Sequence, residues 1–171
     1  MEKGGGKIKE LAITMNLMSE NDLIEFAKKF GTGLRRGDLI FLEGELGSGK
    51  TTFVKGLALS IDIDMNMVSS PTFTILNIYS GKLKIYHMDL YRLNNIDEFI
   101  EAGLEEFLYP KDGVTIIEWP GIIESIWKNG FLKVSIEFID NTSRRLSITF
   151  KGKDYEERFL RGDFYENIKN R

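Results

Sequence analysis

Gly44, Gly49, Lys50 and Thr51 stand at the spacing G-x-x-x-x-G-K-[ST], inside the stretch GELGSGKTT. Residues of these types at this spacing hold phosphate. The glycines permit a tight turn whose backbone N–H groups converge on an anion at the start of a helix, where the dipole favours negative charge. The lysine reaches the β- and γ-phosphates, and the Thr51 hydroxyl ligates Mg2+. A chance match in a chain of this length is on the order of one in a hundred.

Such a loop needs a second half. Nucleotide hydrolysis requires Mg2+ against the phosphates and a carboxylate or polar group that orients water. Two acids close apolar runs: Asp89 at the end of LKIYHMD and Glu118 at the end of VTIIE. Along an extended strand, Ile85, His87 and Asp89 share one face, with His87 and Asp89 about 7 Å apart. Each has a plainer reading: Asp89 as a turn cap, Glu118 as a solvated strand end, His87 as a satisfied core residue. Ser69-Ser70-Pro71-Thr72 is either an ordinary Ser/Pro turn or a loop that orders on the γ-phosphate or Mg2+. Trp119, held extended by Pro120, either covers the site or fills the core.

The elements that must position these groups are legible from periodicity. Leu39–Leu42 reads as a buried strand leading into the loop, and Lys50–Leu59 as the helix that follows it. Ile8–Leu17 reads as an edge strand, and Ser19 caps a helix to about Phe30. Phe73–Tyr79 and Leu83–Leu90 form a hairpin through Ser80-Gly81. Asn94 or Asn95 caps a helix through Ala102, and Leu104–Leu108 adds another turn. Val114–Ile117 suits a strand covered on both faces. Ile122–Lys128 is a short helix, and Phe131–Ile139 pairs with Leu146–Phe150 around Asn141-Thr142-Ser143. In the last twenty residues Tyr155, Phe159, Leu160, Phe164, Tyr165 and Ile168 fall at loosely helical spacing, with Gly162 as a break, so the tail packs on the body or on a partner. The sum is an α/β fold: a mixed β-sheet of the P-loop NTPase kind, flanked by helices on both faces. Ligands of open α/β sheets sit at the carboxyl ends of parallel strands.

Composition bounds the partners. The 171 residues are 42% hydrophobic and 29% charged, with net charge −3 and no cysteine. Disulfides, thiolate metal sites and cysteine nucleophiles are excluded. No apolar stretch is long enough to span a membrane and the N-terminus lacks a signal-peptide core, so the expected location is the cytoplasm. The weak net charge leaves no strong field for nucleic acid, so any RNA is gripped mainly through a partner.

Taken in order, GELGSGKTTF, SSPTFTILNIY, IYHMDLYRL and IIEW resemble the TsaE family, small bacterial ATPases of the pathway that makes threonylcarbamoyladenosine in tRNA. The resemblance runs from Leu17 to Trp119 by motif and more loosely to Phe150. With the chain's length, this gives a single P-loop ATPase domain over residues 1–150; 151–171, helical by its spacing, is a C-terminal extension longer than the family's usual end. The resemblance implies ATP and Mg2+ as cofactors, slow hydrolysis, and dependence on the protein partners of the threonylcarbamoyl-transfer complex. By the same likeness Gly47, Ser48, Gly49, Lys50, Thr51 and Thr52 hold the phosphates, and Thr51 and Glu118 ligate Mg2+. Asp89 acts at the metal or on the attacking water, and Thr72 belongs to a switch-like loop. Tyr91 and Arg92 continue the motif. Pro120-Gly121 departs from the pattern, in which an acid often follows Glu-Trp.

Other classes remain beside a partner-dependent ATPase. A small-molecule kinase would use the same loop but closes an arginine-rich lid, and the arginines here are scattered. A guanine-nucleotide switch would carry N-K-x-D, which the chain lacks. A non-catalytic nucleotide sensor is not separable from an ATPase on sequence.

Overall fold

A computed structural model describes residues 11–160. Seven strands form one sheet, with the order β1-β7-β6-β2-β5-β4-β3. The strands are β1 (Leu11–Leu17), β2 (Leu39–Glu43), β3 (Leu76–Ser80), β4 (Lys84–Asp89), β5 (Gly113–Glu118), β6 (Phe131–Phe138) and β7 (Arg144–Lys151). β2 is parallel to both β5 and β6, and β4 is parallel to β5. Antiparallel strands close both sides, β1 on β7 and β3 on β4. The mixed sheet and its β1 edge are as the sequence patterns indicate.

The helices are α1 (Glu20–Gly31), α2 (Lys50–Ser60), α3 (Ile96–Glu101), α4 (Gly121–Glu124) and α5 (Lys153–Leu160). β2 shows why both faces must be covered: Ile40 and Leu42 join a core with α1 and α2, while Leu39 and Phe41 join a second core with α3 and α4. α1 starts where expected, with Ser19 Oγ accepting from Asp22 N at 3.1 Å, which satisfies a donor of the first turn. α2 crosses α1 closely because residue 56 is glycine: a Cβ there would lie 2.5 Å from the Ala27 Cβ. Thr115, the one polar residue between Val114 and Ile117 of β5, is fully buried and gives its hydroxyl to the Phe107 carbonyl.

Three expected elements differ. β3 begins at Leu76, not Phe73, because the Ile75 and Thr74 N–H groups fold back on the Pro71 carbonyl and leave Phe73 87% exposed. The helix expected over 122–128 is α4, which starts one residue early and ends at Glu124. The strand expected to begin at Leu146 begins at Arg144, lengthened by pairing with β1 and β6.

α5 lies on the main core. Phe159 is fully buried, its ring 4.7 Å from Phe30 and 5.8 Å from Phe150. Arg158 forks onto Asp38 at 2.7 and 2.9 Å, tying α5 to the segment that enters β2. Phe164, Tyr165 and Ile168 lie outside the described residues, as do Ile8 and Gly4–Gly6.

Candidate functional site

The parallel strands β2, β4, β5 and β6 all end at the same rim, and the candidate residues gather there. Gly44, Gly47 and Gly49 have φ of 151°, 78° and 113°, conformations that side chains resist. A Cβ on Gly44 would stand 2.6 Å from the Ile136 carbonyl, and one on Gly49 would stand 2.8 Å from Leu23 Cδ2. The loop therefore folds tightly from the end of β2 to the first turn of α2.

Lys50 opens α2 and is nearly buried. Its Nζ donates to the Gly44 and Glu45 carbonyls at 2.8 and 3.1 Å and lies 4.0 Å from Glu118 Oε2. Burial lowers its pKa, against the opposing pull of Glu118 and then Asp89. The Trp119 ring covers the ammonium at 4.6 Å and lies 5.0 Å from the Tyr91 ring. Trp119 is not extended as Pro120 leads one to expect: its φ is 55°, strain of order 1–3 kcal/mol that turns the chain sharply out of β5. Of the two readings for Trp119, the structure favours the cover.

Asp89 and Glu118 are side by side in register on β4 and β5, and both are buried. Asp89 accepts from the Thr72 hydroxyl at 2.6 Å and from Tyr91 N at 2.9 Å. Ser70 bonds Thr72 in turn, so the loop from Ser69 to Ile75 is latched onto β4. Ile75, at φ 66°, gives its carbonyl to Asp89 N and sets the turn that brings Thr72 within reach. His87 is not at the cleft: it is fully buried behind Glu118, with Nε2 2.8 Å from Oε1.

Lys50, Asp89, Glu118 and Thr72 thus form one connected group. Thr51 is half-buried in the first turn of α2, next to Lys50. The Thr52 hydroxyl turns the other way and donates to Glu20 of α1 at 3.0 Å. Ser48 is fully buried, its carbonyl accepting from Arg144 Nε at 2.9 Å. Arg92 is exposed, with its guanidinium 6.0 Å from the Phe73 ring.

Two carboxylates and the Thr51 and Thr72 hydroxyls are hard oxygen donors, the set that suits Mg2+. Among the described residues no three His, Cys, Asp or Glu side chains cluster as a self-sufficient metal cage.

Arg144 escaped sequence reading. It braces the loop at Ser48, takes the Asp140 and Ser143 carbonyls at 3.1 and 3.0 Å, and covers Phe138 at 4.3 Å. The turn signal at 141–143 was visible, but which loop it meets depends on β6 lying beside β2. A groove of about 300 Å³ follows, walled by Ser19, Glu20, Gly47–Gly49, Thr52, Asn141 and Thr142. On the other side, Tyr91, Leu93, Trp119, Pro120 and Ile122 line a mainly apolar hollow of about 550 Å³. Among the described residues no helix is long and apolar enough to cross a membrane.

Comparison with known proteins identifies the family. The sequence model of the family described as threonylcarbamoyl adenosine biosynthesis protein TsaE matches residues 17–146. The chain is 36% identical over 130 residues to the tRNA threonylcarbamoyladenosine biosynthesis protein TsaE of Treponema pallidum, covering 76% of this chain and 95% of that one. It is 42% identical to the Borreliella burgdorferi protein of the same name, over 66% of this chain and 81% of that one. The Bacillus subtilis protein of that name is 38% identical, over 84% and 89%. The crystal structure of YdiB from Bacillus subtilis superposes with a TM-score of 0.73 at 29% identity, covering 95% of this chain and 97% of that one. The α/β P-loop fold is shared with that structure, and the chain belongs to the TsaE family of threonylcarbamoyladenosine biosynthesis proteins.

Proposed function

We propose that the chain is a Mg2+-dependent ATPase subunit that supports threonylcarbamoyl modification of adenosine in tRNA by partner proteins in the cytoplasm. One observation carries the reading: a buried lysine at the mouth of a glycine cradle, 4.0 Å from a strand-end carboxylate. In this reading the backbone of Gly47–Thr52 and the Lys50 ammonium hold the triphosphate, and the nucleoside end lies in the groove beside Asn141 and Thr142. Thr51, Glu118 and Asp89 are the groups that would hold Mg2+, which when bound neutralises charge on the phosphates. In the same reading Asp89 accepts a proton from water, once the Thr72 hydroxyl lets it go. Latching of Asp89 by Thr72 would keep turnover slow in the chain alone, and release of that loop by a partner would make hydrolysis depend on one. tRNA is contacted mainly through those partners, consistent with the weak net charge of −3.

The test is phosphate release from ATP with and without the threonylcarbamoyl-transfer proteins, comparing wild type with Asp89→Asn and Glu118→Gln. Release that rises with partners and is lost in both variants supports the reading. Binding without release under any condition makes the chain a nucleotide sensor instead. The apolar hollow beside the loop favours one second reading, phosphoryl transfer to a small acceptor, since its size falls in the usual range for ligand pockets. Labelled γ-phosphate found on an organic acceptor rather than free in solution would establish that alternative.

A further inference from the structure

His87 takes no part in the function proposed above, yet its surroundings are specific. Its ring is fully buried between β3 and β5, 6.3 Å from the Tyr79 ring. Nε2 meets Glu118 Oε1 at 2.8 Å, while Nδ1 is buried without a hydrogen-bond partner among the described residues. A bare Nε2 would set its lone pair against the carboxylate's, so the ring hydrogen belongs on Nε2 and is donated to Glu118. An apolar side chain would fill the same space and spare the unpartnered Nδ1, but it would leave Glu118 Oε1 buried without its donor. Filling space therefore does not account for a histidine here; the bond to Glu118 does.

That bond has a direction. Glu118 has two oxygens, and His87 engages only Oε1. The other, Oε2, points to the Lys50 ammonium at 4.0 Å and hence toward the phosphate loop. Without the imidazole the Glu118 carboxylate keeps only the Lys50 ammonium at 4.0 Å, beyond hydrogen-bond distance and already donating to the Gly44 and Glu45 carbonyls.

We propose that His87 is a positioning residue for the cation site, holding Glu118 by Oε1 so that Oε2 is presented to Mg2+ on the bound nucleotide. This inference rests on the Mg-nucleotide reading of the site. Carboxylates that ligate metals are commonly held by such outer partners, whose removal lowers metal affinity about 10- to 100-fold.

The experiment is calorimetric titration of ATP into wild type, His87→Leu, His87→Gln and His87→Asn, each in Mg2+ and in EDTA, with thermal melts to verify folding. Glutamine places its N–H where Nε2 stood; asparagine is too short to reach. His87→Leu should bind ATP in EDTA as wild type does but lose about tenfold or more of the Mg2+ enhancement. His87→Gln should retain that enhancement and His87→Asn should lose it. Should the leucine variant not fold, the Gln/Asn pair decides, and equal enhancement in those two overturns the proposal. An undiminished Mg2+ effect in a folded His87→Leu also overturns it. A wild type indifferent to Mg2+ overturns the cation site itself and this inference with it.

Discussion

Lys50 carries its charge into a nearly buried place, where burial depresses its pKa more than Glu118 and Asp89 raise it. A cation so poorly hydrated gains much from a phosphate, which replaces lost water with a full opposite charge. Lys50→Ala is expected to weaken ATP binding roughly 10- to 100-fold, the worth of a charge-assisted hydrogen bond, as read by calorimetry. Lys50 was legible in the sequence because its neighbours in the loop are its neighbours in the chain. Asp89 and Glu118 were legible as strand ends, since an acid marks where each apolar run stops, although both stay buried. The work of His87 and Arg144 was not, because each acts on a partner 31 and 96 residues away.

Among the elements, the turn from β2 to α2 has the least tolerance. Gly44→Ala combines φ 151° with a Cβ 2.6 Å from the Ile136 backbone, whereas Gly103→Ala has φ 68° but nothing within 4 Å. Urea unfolding should show a loss of about 2 kcal/mol or more for the first and about 1 kcal/mol for the second. The β6–β7 turn is set by Asp140, whose carboxylate is held down to about 2 by the Ser143 and Thr142 N–H groups. The folded state binds its proton less readily than the unfolded state, with its ordinary 3.8. This contribution is present above pH 3.8 and is lost as pH falls through about 2. Asp140→Asn should remove that part of the acid limb in denaturation followed against pH. The turn itself was readable from Asn141-Thr142-Ser143; its contact with the phosphate loop through Arg144 was not. The misplaced start of β3 has a similar origin, because Phe73 has a strand-former's side chain but the Pro71 carbonyl captures the backbone N–H groups that follow.

Across the whole molecule, the two cores are joined through a sheet whose central strands are buried on both faces. α5 is held to the first core by Phe159 and to the base of β2 by Arg158. Phe159→Ala should cost about 3–5 kcal/mol, seen as a lower urea midpoint at unchanged slope. The same variant should leave ATP affinity nearly intact wherever the chain is folded, since Phe159 lies in the core with Phe30 and Phe150 rather than at the rim of strand ends. What the sequence determined by itself is whatever depends on local chain order: the phosphate turn, the capped helix after Ser19, the apolar runs, and the family motifs. The tertiary structure alone decided which strand ends stand side by side, that Thr72 latches Asp89, and that His87 backs Glu118. Strand register and neighbour order come from packing two cores at once, and such long-range contacts leave no spacing in the chain from which to read them.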